Sequence, residues 1–113
     1  MKVLNQSKNS VIAEDATLAD TFLSRMIGLL KHDSLKKGEG LIITHCNSIH
    51  MFFMRFAIDV IFIDKSDKVV GLVPDIPPNR LSKIYFSAVK AIEVPVGVIG
   101  DSRTELGDHL VIQ

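Results

Sequence analysis

The chain has 113 residues, enough for one folded domain of ordinary size and too few for a second domain with its linker. Hydrophobic residues make up 47% and charged residues 23%, which excludes the polar, highly charged regime of disordered chains. Thirteen Lys and Arg balance thirteen Asp and Glu, so the basic excess with which nucleic-acid-binding domains displace phosphate counterions is missing, and no nucleic-acid partner is expected.

In chain order, Val3-Leu4 and Val11-Ile12-Ala13 are short apolar pieces joined by the turn-forming run Asn5-Gln6-Ser7-Lys8-Asn9-Ser10, which predicts an opening hairpin. From Thr17 the period lengthens: Leu18, Phe22, Met26, Leu29 and Leu30 recur at three- and four-residue spacing, with Asp15 or Thr17 placed to cap the start and Gly28 near the end. This is the one main helix expected. Leu41-Ile42-Ile43-Thr44 opens a β-rich remainder. Residues 58–63 are rich in β-branched residues and apolar on both faces except at Asp59, as in a strand covered on both sides, and Asp64-Lys65-Ser66-Asp67 turns the chain into a partner over 69–73. Pro74, Pro77 and Pro78 are expected to end regular pairing, leaving residues 75–81 irregular. Strands return over 88–94 and 109–112, with a turn of helix between them. Gly97, Gly100 and Gly107-Asp108 read as turn positions, with phosphate cradling as the second reading. The fold class is α+β: a β-rich, mostly antiparallel or mixed sheet, open to curling toward a barrel, with one main helix packed on it in a single domain over 1–113.

A lone Cys excludes an internal disulfide framework and fits a reducing compartment. The first ten residues hold no apolar run, and the most apolar later stretch, 51–63, is broken by Arg55 and Asp59. The expectation is a soluble, cytoplasmic monomer with no membrane partner, although an exported chain whose leader had been removed would read the same way. Phosphate loops, Cys-x-x-Cys pairs, His-Glu-x-x-His and Gly-x-Ser-x-Gly are all missing, so neither a cofactor nor a reaction is indicated.

What remains are polar residues that interrupt apolar runs. Arg25 lies beside Phe22 and Leu29, where a guanidinium needs a carboxylate or carbonyl partner. Asp59, between Ile58 and Val60, and Glu93, between Ile92 and Val94, are the natural partners. The same set reads as a structural ion pair or as a site for an anion, whose planar oxygens suit a guanidinium fork. In the run from Thr44 to Arg55, a period of two places Cys46, Ser48, His50, Phe52 and Met54 on one face. His50 or Cys46 is then a candidate catalytic residue, the imidazole as base and the thiol as nucleophile, against the commoner fate of an inert buried thiol. A zinc site wants more ligands than one thiol and its neighbours provide, so no metal is expected. Beside Phe52, Phe53 and Arg55, His50 also suits the rim of a ligand pocket.

Arg25 with Gly28-Leu29-Leu30, Gly40-Leu41, Cys46-Asn47-Ser48-Ile49-His50, the run from Phe53 to Asp64, the run from Ala91 to Gly97, and Gly107-Asp108, in this order, resemble the family known as domain of unknown function 192, or uncharacterised protein family 0127. The resemblance spans nearly the whole chain. Met51 stands where a small polar residue such as Thr is common, and Ala57 where Pro is common. The resemblance implies a compact β-rich domain with one main helix and a shared polar set of Arg25, His50, Arg55, Asp59 and Glu93, and it implies no reaction. Many relatives carry an N-terminal leader. The expected function is a binding or accessory module whose ligand-binding residues are Arg25, His50, Arg55, Asp59 and Glu93, for a small anionic or polar ligand. The alternatives are an enzyme, hydrolase or transferase, with His50 as general base, and a protein-interaction module in which the polar cluster is purely structural.

Overall fold

The computed structural model describes residues 1–19, 35–52 and 54–113. In chain order these form β1 (Val3–Asn5), β2 (Ser10–Ala13), β3 (Asp15–Ala19), β4 (Glu39–Thr44), β5 (Ile58–Ile63), β6 (Val69–Ile76), β7 (Lys90–Val94), the short helix α1 (Val98–Asp101) and β8 (Leu110–Ile112). The strands make two open sheets: a five-stranded one in the order β3-β4-β7-β5-β6 and a three-stranded one in the order β2-β1-β8. Only β3 and β4 pair in parallel among the described strands, so the larger sheet is mixed and the smaller one antiparallel.

The fold class is that expected of an α+β, β-rich chain. The opening hairpin forms, with Val3 opposite Ala13 and Asn5 opposite Ser10. β5 is buried at all six positions, because β7 and β6 flank it edge to edge and separate apolar layers cover its two faces. The turn after it is fixed by Asp64, whose carboxylate accepts from the Ser66 and Lys68 backbone N–H groups at 2.9 and 3.0 Å. The Lys68 N–H, with help from that of Ser66, holds the Asp64 carboxyl below its ordinary value against the opposing effect of burial.

Two expectations change. Asp15, Thr17 and Leu18 do not cap or begin a helix; they lie in β3, where Thr17 pairs with Leu41 and Leu18 with Ile42 of β4. Leu18 is 52% exposed, so the first apolar position in the helical pattern belongs to an outward-facing strand residue. The rest of that pattern, 20–34, lies outside the described residues, as does Phe53. Nor does Pro74 end β6, which continues to Ile76. β6 is an edge strand and its register slips between the Ile58 and Val60 pairs, and an edge or a bulge is where a residue without an N–H is tolerated.

The period of two sorts the large sheet into two faces. Ile42, Ile61, Ile63, Ile92 and Val94 pack with Val3, Ile12 and Leu110 of the smaller sheet and with Ile99 of α1. Leu41, Ile43, Ile58, Val60, Phe62 and Ala91 form the opposite face, covered by Ile49, Met51, Met54 and Ala88. The candidate site belongs to that second covering layer.

Candidate functional site

Residues 47–51 and 79–85 lie side by side across the second face. The Met51 N–H donates to the Arg80 carbonyl at 2.8 Å and the Met51 carbonyl accepts from Asn79 at 2.8 Å, while Ser82 and Tyr85 donate to the Ile49 and Asn47 carbonyls at 3.0 and 2.8 Å. His50 bridges to Leu81 in this ladder. The alternation expected of the segment is visible at its centre: Ile49 and Met51 point into the core, whereas the His50 and Phe52 rings stack with centroids 5.0 Å apart and planes 29° apart. His50 is half-buried and Phe52 exposed. Met54 breaks the pattern by burying its side chain, and Arg55 is exposed. Tyr85 anchors the second segment by stacking on Phe62 at 4.5 Å, and burial pushes its phenol above the ordinary value.

Glu93 projects into the same core face as the covering layer. It pairs with Leu41 on one side and Val60 on the other, both members of that face, and none of its surface reaches solvent. A carboxylate so placed is costly unless its oxygens are compensated. Asp59 goes the other way. It sits one position out of phase, paired with Val94, and turns its carboxylate toward α1. Oδ1 accepts from the Asp75 N–H at 2.8 Å, and Oδ2 from the Gly97 and Ile99 N–H groups at 3.1 and 3.0 Å. Asp59 and Glu93 therefore do not converge on one pocket: successive strand residues face opposite sides of a sheet, and these two side chains stand on opposite sides of this one. Asp59 is committed to backbone donors. Arg25 lies outside the described residues.

Cys46 and His50 share a segment, but the Cys46 Sγ–H donates to the Ser48 carbonyl at 3.0 Å and the thiol packs against the core. Among the described residues no group of three or more His, Cys, Asp or Glu side chains is placed to hold a metal ion. The glycines expected at turns have positive φ at Gly97 (100°) and Gly107 (90°), while Gly100 lies within α1.

Sequence reasoning missed a second polar cluster. Asn5, buried in β1, donates to Thr104 Oγ1 and to Asp108 Oδ2, both at 3.0 Å, and Lys8 reaches the Asp108 carboxylate at 2.9 Å. The partners are about a hundred residues apart, so no local pattern announces them. Burial acts to raise the Asp108 pKa, but the bonds from Asn5, the Glu105 N–H and Lys8 outweigh it and hold the carboxyl below its ordinary value. A carboxyl depressed in the folded chain contributes its full stability above the ordinary Asp value of about 3.9 and loses it as pH falls toward the folded value. The stability advantage of the wild type over Asp108→Asn is therefore expected to shrink below about pH 4. Thermal melts of both chains from neutral to acid pH measure it; a constant gap would show that this carboxylate's charge contributes nothing.

A family profile described as "Uncharacterized ACR" and named DUF192 matches residues 3–112. The chain belongs to the DUF192 family. Its relatives by sequence include the UPF0127 protein of Thermococcus sibiricus, 38% identical over 112 residues covering 96% of this chain and 72% of the relative. That of Pyrococcus horikoshii is 33% identical, with 96% of each chain covered. A protein of unknown function from Novosphingobium aromaticivorans superposes with a TM-score of 0.81 at 18% identity, covering 98% of this chain and 82% of that one. At that identity the likeness extends to the fold alone. The fold of this DUF192 chain is thus shared with a chain whose sequence has diverged widely.

Proposed function

We propose that this DUF192 chain is a single-domain binding module for a small anionic ligand, held by His50 and Arg55 in the covering layer, with Glu93 orienting them from below; the expected part of Arg25 falls outside the described residues. The observation that carries this reading is the charge of the layer. Residues 45–57 and 77–89 contain no Asp or Glu but include His45, His50, Arg55, Arg80 and Lys83, in a chain whose net charge is zero. An exposed guanidinium five residues along the chain from a half-buried imidazole stacked on Phe52 suits a carboxylate or phosphate with an apolar body. Asp59 drops out of the ligand set and becomes a structural residue.

The enzyme reading, with His50 as base and Asp59 or Glu93 to orient it, has less support: Asp59 is turned away from His50's layer, which leaves Glu93 for that part, and the Cys46 thiol is engaged as a donor to a carbonyl. The test is a thermal-shift screen of the purified chain against carboxylates, sugar phosphates and nucleotides, in which a ligand at a hundred times its Kd adds about 2.7 kcal/mol. The expected result is a rise in Tm that Arg55→Ala and His50→Ala abolish. Because Arg55 is exposed, Arg55→Ala without ligand is expected to change stability by no more than about 0.5 kcal/mol. A ligand shift that survives both substitutions, or an unliganded Arg55→Ala that no longer folds, removes the reading.

A further inference from the structure

The outer side of the covering layer carries large apolar side chains that the core does not use. Leu81, Ile84 and Phe86 are 67%, 52% and 86% exposed within six residues of chain. Phe52, 42% exposed, stands at the Leu81 end of this row, because the His50 ring on which it stacks belongs to the residue bridged to Leu81. Two exposed cations are interleaved with these residues: Arg80 precedes Leu81, and Lys83 precedes Ile84, its Nζ 5.1 Å from the Tyr85 ring centre. Lys90, farther along, is drawn away by Asp67 at 3.7 Å.

We infer that the face made by Phe52, Leu81, Ile84 and Phe86, with Arg80 and Lys83 among them, docks on an anionic lipid surface. Two properties select this occupant. The face is cationic and lacks acidic residues in both of its segments, so it complements a negative surface. Its apolar side chains project; a phenyl ring 86% exposed touches little of its own protein, and side chains of such different shapes are accommodated together by a fluid interface, where apolar groups sink below the headgroups and cations remain at phosphate depth. A nucleic acid would satisfy Arg80 and Lys83 but offers Leu81 and Ile84 no stacking partner. An acidic protein would need a preformed recess for each projecting group. Interfacial docking requires no spanning segment, and no helix among the described residues is long and apolar enough to cross a membrane. The inference shares Phe52, Arg80, Lys83 and the lack of acids with the proposed small-ligand site, and is told apart from it by Leu81, Ile84 and Phe86, which that site does not use.

The chain contains no Trp, so Phe86→Trp gives a single indole reporter at the most exposed of these positions. With vesicles of phosphatidylcholine and phosphatidylglycerol in equal parts, a blue shift of its emission and co-sedimentation of the wild-type chain are expected, both weakening as salt is raised. Vesicles of phosphatidylcholine alone are expected to give much less of either. Leu81→Ser combined with Phe86→Ser should lower the partition coefficient by about tenfold or more while leaving Tm unchanged, and Arg80→Glu combined with Lys83→Glu should do likewise. Val11→Ser, at a 47% exposed position on the smaller sheet, should change nothing. Equal sedimentation with neutral and anionic vesicles, an unmoved indole emission in the Phe86→Trp chain, or retention on polyuridylate or polyglutamate without any vesicle binding would overturn the inference. A small-ligand shift lost in Arg55→Ala would not bear on it.

Discussion

Asp59→Ala is expected to lower the unfolding free energy by about 3–5 kcal/mol, one of the largest losses available to a single substitution in this chain. The side chain is 1% exposed, and its two oxygens accept three backbone N–H groups drawn from separate parts of the fold: Asp75 on the edge strand β6, and Gly97 and Ile99 at the start of α1. Removing the carboxylate strands three donors at once. Each buried unsatisfied donor costs about 1–3 kcal/mol, and because the Ile99 bond is buried while those from Asp75 and Gly97 are only partly so, the sum stays below the simple total. Two of these donors sit on backbone held at positive φ, 50° at Asp75 and 100° at Gly97, so the segments have little freedom to find new acceptors without leaving that geometry. Asp59→Asn should cost less, because the remaining carbonyl still accepts, but its NH₂ faces donors and cannot replace the second oxygen. Urea unfolding of the three chains measures the order wild type, Asn, Ala. An Asp59→Ala chain as stable as the wild type would mean that the carboxylate does not hold β6 and α1 together.

Asp59 also shows what the sequence discloses and what it withholds. A lone acid inside an apolar strand is visible in the sequence, and that its carboxylate needs compensation follows from the cost of burial. The identity of the compensation is not visible, because backbone donors leave no trace in residue type; a guanidinium is the natural expectation, and the structure provides three peptide N–H groups instead. The faces follow the same logic. Strand β5 and its turn at Asp64 are legible because apolar density and turn chemistry are local. Strand β3 is not: five residues, Asp-Ala-Thr-Leu-Ala, have no β-branched run, and what makes them a strand is the parallel partner β4, more than twenty residues away in the chain. The layer that carries His50 is legible as a segment and illegible as a surface. Its alternation puts Phe52 with His50, but the neighbouring Leu81, Ile84 and Phe86 arrive from a stretch marked in the sequence only by prolines. Charge is the one non-local signal available, since the shared lack of acids in 45–57 and 77–89 can be read without coordinates.

Gly71→Ala is expected to destabilise the chain by about 1–3 kcal/mol through a single contact that ties the covering layer to the sheet. A Cβ on Gly71 would fall against the Tyr85 ring, where Cδ1 and Cε1 both leave no room for it. Gly71 pairs with Phe62, and Tyr85 occupies the space above both, its ring stacked on Phe62 with planes 24° apart. The glycine is there to admit the tyrosine. Its φ is unexceptional, so the expected cost is steric, and alanine otherwise suits a strand better than glycine does. Tyr85 is only half-buried and belongs to a segment held by a few backbone bonds, so the clash is expected to be relieved by the ring moving outward, which gives up the Phe62 stack and the Lys83 contact. A double-mutant cycle isolates this. In a Tyr85→Ala background the ring is gone, and Gly71→Ala should cost little or even stabilise the chain, leaving a coupling of about 1–3 kcal/mol between the two positions. Additive losses would locate the strain elsewhere in β6. If the coupling is found, Gly71→Ala becomes a way to loosen residues 79–86 without touching any charged or exposed side chain, and its effect on vesicle binding then reports how far that face depends on being held against the sheet.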